Sequence, residues 1–362
     1  MKKILMIGPA RSVHGGISGV VNNLYDAGFD KVIDLKYIGT MEEGSKLRKL
    51  LVAFRAYFSF LVSLKWADVV HVNAASDSSL LRKSLFIRAA YKKHKKIVLH
   101  QHGGDIINYY NKSKDRRKNY IRSVLDMADV MLVLSPLYEE FFATLTDKEK
   151  IIVLPNSIAI SDAPVGKRPH DILFLGRICK DKGISELIEA MDIVHEKIPG
   201  AVLYLGGIYE DESYREAILN RPYIQFLGWI NGDTKEEYLK RCSVFVLPTY
   251  FEGQPVSVLE AMAHSCAVIA SNVGGIPMMI ENGVNGILIE PKNVQMLSEA
   301  MSNVLMNVEL MSSLGDAAHE TIREQFDIKN TIQILDGIYE KLLSSAPDDA
   351  PKIDDDVDIT LL

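Results

Sequence analysis

Short hydrophobic runs alternate with longer helical patterns along almost the whole chain. In the first half the runs are nearly continuous and end at glycine, asparagine, histidine or serine: KKILMIG, ADVVHVNA, KKIVLHQHG and ADVMLVLS. Strands that are buried on both faces of a parallel sheet have this character. Helical patterns lie between them around residues 45–65, 78–94 and 113–127. The alternation predicts a doubly wound α/β domain.

The second half of the chain repeats this alternation. DILFLGR, AVLYLGG, IQFLGW, VFVLPT and AVIASN are strand-like, and SELIEAMDIVHEK, KEEYLKRC and SVLEAMAHS are helix-like. We therefore predict two doubly wound, Rossmann-like α/β domains that face each other across a cleft, residues 1–157 and 158–325. A helix over 326–344 is predicted to return to the first domain. The acidic, proline-containing segment 345–362 is predicted to be a disordered tail.

Charge is unevenly distributed along the chain, whose formal net charge is −6. Residues 1–160 contain 25 Lys and Arg against 15 Asp and Glu, whereas the remainder contains 16 against 32. A basic half next to an acidic half suggests that the basic half meets something anionic. Because no nucleic-acid-binding motif accompanies the charge, we expect an anionic membrane surface rather than nucleic acid.

The longest apolar run in the basic half is LLVAFRAYFSFLVSL, Leu50 to Leu64. It contains Arg55 and is shorter than the roughly twenty residues of a membrane-spanning helix. Its interleaved basic and apolar residues suit peripheral binding to an anionic membrane, and an ordinary core helix is the alternative. The three cysteines have no metal-type or disulfide-type spacing, which fits a reducing cytoplasm. We expect a cytoplasmic protein, peripheral at the inner face of the cell membrane.

Two candidate sites follow strands of the first half, where doubly wound sheets bind ligands. The turn GPARSVHGGISG places Gly15 and Gly16 before a helix, where backbone N–H groups can hold phosphate. Such a turn also occurs as simple geometry. In VLHQHGGD we expect His100 and His102 to point to opposite sides of the strand end, with His102 toward the cleft and His100 packed. Each histidine could equally be structural.

Two further candidates follow strands of the second half. In FLGRICKDKG, Arg177 and Lys182 bracket a strand-to-helix turn and suit a diphosphate, although surface cations are common. In VFVLPTYFEGQPVSVLEAMA, Glu252 lies in a loop and Glu260 is expected in the first turn of the next helix. There it would be favoured by the helix dipole in any protein. It could also accept two hydrogen bonds from a vicinal diol such as a ribose.

Taken together, these motifs resemble one known family. The order of HGGIS, QHGGD, LPNSI, GRICKDKG, FLGW and FEGQPVSVLE, followed by AVIAS and NVGGIPMMIENGVNGILIEP, resembles the retaining glycosyltransferases of family 4, also called glycosyltransferase group 1. The resemblance extends to about residue 344, and its 251–291 block is the most specific part. It implies the two-domain GT-B fold. One departure is the segment HSCAV, where Ser265 and Ala267 stand in a turn that often contains glycine and proline.

The resemblance implies a role for each candidate. Arg177 and Lys182 would hold the donor diphosphate and stabilise the departing nucleotide, so that no metal or other cofactor is needed. Glu260 would bind the ribose hydroxyls, Glu252 the transferred sugar, and His102 would lie close to the reacting centre. The implied catalytic residues are His102, Arg177, Lys182 and Glu252. The implied donor-binding residues are Gly15, Gly16, Gly176, Arg177, Lys182, Trp229, Ile230, Glu252, Gly253, Gln254, Pro255, Val256 and Glu260.

The predicted activity is metal-independent transfer of a hexose or N-acetylhexosamine, with retention, from a nucleotide-diphosphate sugar. UDP is the expected nucleotide and a lipid-linked sugar hydroxyl the expected acceptor, as in the assembly of bacterial surface polysaccharide or glycolipid. A nucleotide-sugar epimerase of the same fold and a cytosolic glucan or small-molecule glycosyltransferase are the alternatives. A partner that keeps the fold without the chemistry would not need intact Arg177, Lys182, Glu252 and Glu260.

Overall fold

The fold consists of two compact units, as seen in a computed structural model that describes residues 1–75, 78–103, 106–160 and 167–344. The first unit is Met1–Asn156 together with the helix that begins at Ile328, and the second is Ser157–Asp327. Each unit contains a six-stranded parallel sheet with helices on both faces. The predicted α/β class with two doubly wound domains is therefore confirmed. The predicted tail over 345–362 lies outside the described residues.

The first unit alternates strands and helices. Its strands are β1 (Lys3–Gly8), β2 (Asp34–Gly39), β3 (Val69–Ala74), β4 (Lys96–Gln101), β5 (Val130–Val133) and β6 (Ile151–Val153). Its helices are α1 (Gly16–Asp26), α2 (Phe29–Val32), α3 (Lys46–Ser63), α4 (Ser78–Lys92), α5 (Ile106–Lys112), α6 (Asp115–Leu125) and α7 (Pro136–Ala143), and the last helix of the chain also belongs to this unit.

The strand order of the first sheet is β2-β1-β3-β4-β5-β6, and all neighbours are parallel. Apolar side chains alternate between two cores, one on each face of the sheet. Helices α3, α4, α6 and α7 contribute to one core, and α1 and the last helix contribute to the other. The strand order reverses between β1 and β3, so the crevice of this unit lies beyond their carboxyl ends.

The second unit repeats this plan, with six strands and six α-helices in the part of the chain that the structure describes. Its strands are β7 (Arg168–Leu175), β8 (Val202–Gly206), β9 (Ile224–Gly228), β10 (Cys242–Leu247), β11 (Ala267–Ser271) and β12 (Ile287–Ile289). Its helices are α8 (Ile184–Lys197), α9 (Tyr214–Leu219), α10 (Gly232–Arg241), α11 (Val256–Ala263), α12 (Val294–Met306) and α13 (Val308–Gln325), after which α14 (Ile328–Ser344) belongs to the first unit.

The strand order of the second sheet is β12-β11-β10-β7-β8-β9, again all parallel. The order reverses between β7 and β10, which places the second crevice beyond the carboxyl ends of these two strands. A single large core of buried apolar side chains covers the sheet. The turn at Ser265 adopts a left-handed backbone with φ of 53°, so it has the shape that glycine favours despite the serine.

Helix α3 differs from the core helix that was one alternative for this segment. Only Ala56 and Phe60 are buried in it, whereas Phe54 is 73% exposed and Leu47 68% exposed. Within the described residues, no helix combines the length and the apolar character needed to cross a bilayer. The helix therefore presents apolar side chains to its surroundings, a feature that calls for a covering partner.

Helix α14 is fixed in the first unit by one buried polar contact. Its Tyr339 is fully buried, and the hydroxyl lies 2.6 Å from Nδ1 of His71 on β3. Burial lowers the pKa of His71 to about 3, so the imidazole is neutral and can accept the phenol proton. The pair satisfies two polar atoms that would otherwise be buried without partners.

Replacing Tyr339 with phenylalanine should lower the free energy of unfolding by about 1–3 kcal/mol, because it leaves Nδ1 of His71 buried and unpaired. Tyr57→Phe is the matched control, since the Tyr57 hydroxyl has no hydrogen-bond partner among the described residues. Urea unfolding followed by circular dichroism measures both variants. Equal stability of the two would show that the contact with His71 contributes nothing.

Candidate active site

The carboxyl edge of the second sheet brings four of the predicted residues to one place in the fold. Arg177 and Lys182 follow β7, and Glu252 and Glu260 follow β10. These two strands are hydrogen-bonded neighbours at the point where the strand order reverses. Residues far apart in sequence therefore share the crevice of this unit, which is where open α/β sheets bind ligands.

Backbone contacts lock the loop after β7 against the loop after β10. The Tyr250 amide donates to the carbonyl oxygen of Asp181 over 2.8 Å, and the Thr249 hydroxyl donates to the same oxygen. Gly183 has φ of 69°, and a side chain there would overlap the carbonyl oxygen of Pro248. Only glycine satisfies both constraints, so the position of Lys182 depends on the residue that follows it.

Lys182 and Glu252 form an ion pair. Both side chains are only 15% exposed, so the pair is largely shielded from solvent. Arg177 lies nearby in sequence and pairs with Glu210, with Nη1 2.6 Å from Oε2. Carboxylates thus engage both predicted cations. An anionic ligand that binds these cations would take the place of those carboxylates.

Glu260 has a partner that the sequence analysis did not foresee. Nζ of Lys235, on α10, donates to Oε1 of Glu260 over 2.6 Å. Glu260 is buried and is the fifth residue of α11, whose first turn contains no acidic residue. Its expected place in the first turn is wrong by one turn, because α11 begins directly after Pro255. The dipole of the helix therefore explains little of its presence, and Lys235 supplies the compensating charge.

The remaining predicted donor residues surround this edge of the sheet. Gly176 directly follows β7, and its amide donates to the carbonyl oxygen of Gly206 on β8. Trp229 and Ile230 follow β9, with Trp229 40% exposed and Ile230 packed near Gly206. The stretch from Glu252 into α11 holds the rest: Gly253, Gln254 and Pro255 are buried, and Val256 is the first residue of α11. All of these residues belong to the second unit.

His102 and the glycine turn lie in the first unit, at the carboxyl edge of its own sheet. The turn leaves Gly15 and Gly16 exposed, and a carbon added to either would meet no atom within 4 Å. Gly15 caps α1 without any capping side chain, so the first amides of this helix face outward. This is the arrangement expected of an anion-binding turn.

The expectation that His100 and His102 point to opposite sides is wrong. Their rings are in contact, with centroids 4.0 Å apart and planes inclined by 31°, and both lie on the face of the sheet that carries His71. The physical reason is the period of a strand, which places residues two apart on the same face. His100 is buried in this column, as expected for a packed residue.

Asn73 fixes the tautomer of His102. Nδ2 of Asn73 donates to the carbonyl oxygen of Ile7 over 3.1 Å, which turns Oδ1 toward Nε2 of His102 at 2.8 Å. Nε2 must then carry the proton, and Nδ1 is a free acceptor with no partner within the described part of the chain. Burial lowers the pKa of His102 to about 3, so the ring is neutral and can accept a hydrogen bond from a hydroxyl group.

Three functional candidates escaped the sequence analysis: Glu210, Lys235 and Asn73. Glu210 is brought to Arg177 because the loop after β8 pairs with Ile178, whose amide donates to Ile208. Lys235 belongs to a helix that reads as an ordinary charged surface. Only the asparagine that interrupts the apolar run of β3 could have attracted notice from sequence.

Gly274 tests whether the loop after β11 holds Glu252 in place. Its φ is 57°, and a side chain there would overlap the carbonyl oxygen of Glu252. Gly283 is the matched control, because its φ is 81° and it has open space around it. Gly274→Ala should lower the free energy of unfolding by at least about 2 kcal/mol more than Gly283→Ala does. Gly283→Ala introduces only backbone strain, of about 1 kcal/mol. Chemical denaturation of both variants decides this, and similar losses would contradict it.

Comparison with known proteins places these motifs in context. The family model "Glycosyl transferases group 1" matches residues 169–307. An uncharacterized glycosyltransferase of Methanocaldococcus jannaschii is 32% identical over 172 residues, 46% of this chain and 44% of that protein. TuaC of Bacillus subtilis, a glycosyltransferase assigned to teichuronic acid biosynthesis, is 29% identical over 263 residues, 69% of this chain and 65% of TuaC. A third relative, an N-acetylgalactosaminyltransferase of Campylobacter jejuni that acts on N,N'-diacetylbacillosaminyl-diphospho-undecaprenol, is 29% identical over 209 residues, 57% of this chain and 52% of that enzyme.

Solved structures with the same fold cover nearly the whole chain. Sucrose-phosphate synthase of Thermosynechococcus elongatus superposes with a TM-score of 0.76 at 18% identity, over 96% of this chain and 100% of that one. HepE of Anabaena, solved with UDP, superposes with a TM-score of 0.73 at 15% identity, over 94% of this chain and 100% of HepE. The alignments span about half to two thirds of the first curated relatives. By fold the chain is a two-domain GT-B protein, and its residues 169–307 match the group 1 glycosyl transferase model.

Proposed function

We propose that the protein is a metal-independent, retaining glycosyltransferase of family 4 that uses a UDP-sugar. The observation that carries this proposal is the charged group at the β7–β10 edge of the second unit, where Arg177, Lys182, Glu252 and Glu260 converge. The group 1 family match covers the same residues. UDP is chosen because HepE and a pneumococcal O-GlcNAc transferase with 21% identity were both solved with it.

The two cations provide the leaving-group chemistry of this proposal. Arg177 offers a planar fork of N–H donors and Lys182 a compact charge, both suited to diphosphate oxygens. Charge on the leaving diphosphate increases as the bond to the sugar breaks, so fixed cations stabilise the transition state more than the ground state. The chain's own residues thus supply the role that a bound metal ion would otherwise have.

The two carboxylates recognise hydroxyl groups in this scheme. Glu260 accepts hydrogen bonds from the ribose diol, while the ion pair with Lys235 orients it. Glu252, released from Lys182 by the diphosphate, accepts from hydroxyls of the transferred sugar. In the first unit, Nδ1 of His102 offers an acceptor for a sugar hydroxyl. The acceptor hydroxyl then attacks on the same face that the diphosphate leaves, and the diphosphate oxygen takes its proton, which retains the anomeric configuration.

Calorimetric titration with UDP, in buffer containing EDTA, tests the donor site. Glu260→Gln should weaken UDP binding by roughly 10- to 100-fold, because the variant lacks the hydrogen bonds to a charged acceptor. Glu324→Gln is the control, since this exposed glutamate lies on α13 away from the β7–β10 edge. Unchanged affinity in Glu260→Gln, or UDP binding only with added Mg²⁺, would contradict the assigned site. Product analysis with UDP-sugars then separates transfer from epimerisation, because an epimerase acts without any acceptor.

The first unit suits a lipid-linked acceptor at an anionic membrane surface. The outward face of α3 carries exposed apolar side chains, namely Leu47, Leu50, Leu51, Phe54, Phe58, Leu61 and Val62. Exposed basic residues flank them, namely Lys46, Arg48, Lys49, Arg55 and Lys65. A cavity at the turn between α5 and α6 adds more positive charge, with Lys112, Lys114, Arg116 and Arg117 in its lining. Apolar side chains ringed by cations match the interface of an anionic bilayer.

Co-sedimentation with vesicles of phosphatidylglycerol and phosphatidylcholine tests this surface. The double change Phe54→Ser and Phe58→Ser should lower the bound fraction at least about tenfold, since each ring contributes roughly 1.5–3 kcal/mol when buried. Leu219→Ser is the control, because Leu219 is 72% exposed but lies in the acidic second unit. Binding by wild type should decline at high salt. Failure of the wild type to pellet with anionic vesicles at low salt would overturn the proposal.

A further inference from the structure

Lys83 is a buried cation in the first unit, and no carboxylate of the described residues neutralises it. It lies on α4 and is 5% exposed, and its ammonium group donates to the hydroxyl oxygen of Thr40. Among the described residues it forms no ion pair, and the one charged group that perturbs it is Arg82, another cation. A buried ammonium without a counter-charge is costly, so its presence calls for a ligand or a function.

Thr40 cannot neutralise this charge, because its hydroxyl group is uncharged. Oγ1 of Thr40 donates to the carbonyl oxygen of Gly8 over 2.8 Å, and the Thr40 amide donates to the same oxygen. The hydroxyl therefore accepts from Lys83 and holds the ammonium at the carboxyl end of β1. Two of the three N–H donors of Lys83 remain available there, within the part of the chain that the structure describes.

The position of Lys83 is the crevice of the first sheet. Thr40 follows β2, which pairs with β1 up to Gly8, and the strand order reverses between β1 and β3. Helices α1 and α4 cover opposite faces of the sheet at this reversal. Open α/β sheets bind ligands at this place. The uncapped amides of α1, after Gly15, lie at the same edge.

A second buried side chain at this edge also has unmet hydrogen-bonding capacity. Gln101 is 1% exposed, and neither its amide nitrogen nor its amide oxygen has a partner among the described residues. It ends β4 beside Ala74 of β3, and it shares the α4 face of the sheet with Leu99. Buried polar atoms in native proteins are nearly always paired, so the edge has donors awaiting an acceptor.

We propose that Lys83, with Thr40, binds a phosphoryl oxyanion at the carboxyl end of β1. A tetrahedral phosphoryl group accepts hydrogen bonds on several sides, which suits an ammonium below it and backbone amides beside it. Its assignment to a phosphate-bearing acceptor rests on the proposed glycosyl transfer, whereas the anion site itself does not. Burial lowers the pKa of Lys83 to about 7, so a bound anion would draw a proton onto this residue.

NMR titration of the lysine side chains in the full-length chain tests this site, with inorganic phosphate as the probe. The Lys83 signal is assigned by its loss in Lys83→Met. Saturating phosphate should raise the pKa of Lys83 by about one unit or more, as an opposite charge close by does. Lys93→Met, which removes an exposed lysine just beyond α4, is the control and should leave that shift unchanged. A Lys83 titration that phosphate does not move would overturn the proposal.

Further titrations identify the source of the phosphoryl group. They also distinguish the anion site at Lys83 from the proposed glycosyl transfer. If UDP displaces phosphate from Lys83, the donor diphosphate occupies the site, and the acceptor assignment is wrong. If UDP binds without moving the Lys83 signal, the acceptor assignment is supported. Thr40→Val should reduce phosphate affinity, because the Lys83 ammonium then loses the hydroxyl oxygen that holds it in position. A phosphate-dependent Lys83 in a protein that binds no nucleotide would sustain the anion site while refuting the proposed function.

Discussion

Both units depend on one constraint, the reversal of strand order in a fully parallel sheet. All strands of a unit end at the same edge, and at the reversal the following loops diverge to opposite faces and leave a crevice. In the second unit this occurs between β7 and β10, and the loops there approach until only glycine fits. Gly183 contacts the loop after β10, Gly207 contacts Gly176, and Gly274 contacts Glu252. The rigidity of the charged edge follows from these backbone contacts rather than from side-chain packing.

The charges at this edge neutralise one another before any ligand arrives. Lys182 is paired with Glu252, Arg177 with Glu210 and Glu260 with Lys235. The side chains of Lys182 and Glu252 are each 15% exposed and that of Glu260 is 12% exposed, so leaving any of these three unpaired would cost several kcal/mol. The Arg177–Glu210 pair is about half exposed and contributes less. A diphosphate sugar offers substitutes of the same kind: oxygens for the cations and hydroxyl donors for the carboxylates. Donor binding then replaces the ion pairs of the protein with contacts to the diphosphate sugar. The net free energy of binding is the difference between these two sets of interactions.

The sequence predicts what is continuous along the chain and misses what only tertiary structure joins. Strands β1, β3 and β10 are mostly apolar because both of their faces are buried, so the sequence pattern predicts them directly. The edge strands β2 and β12 are short or only half buried, so their pattern is weak. Arg177 and Glu260 could be predicted because each follows such a strand. Their partners Glu210 and Lys235 could not, since these are 33 and 25 residues distant in the sequence.

The two units treat buried charge in opposite ways, and the difference bears on what each one binds. The second unit closes its charges into pairs, so an incoming donor must compete with carboxylates already present. The first unit instead buries neutral rings and a cation: the neighbouring His71, His100 and His102 have lowered pKa values because they are buried, and the ammonium of Lys83 contacts the Thr40 hydroxyl and no carboxylate among the described residues. An anion that binds Lys83 there would gain the attraction of that ammonium without displacing a carboxylate of the described part of the chain. Protons taken up by Lys83 on binding would couple that step to pH near neutrality.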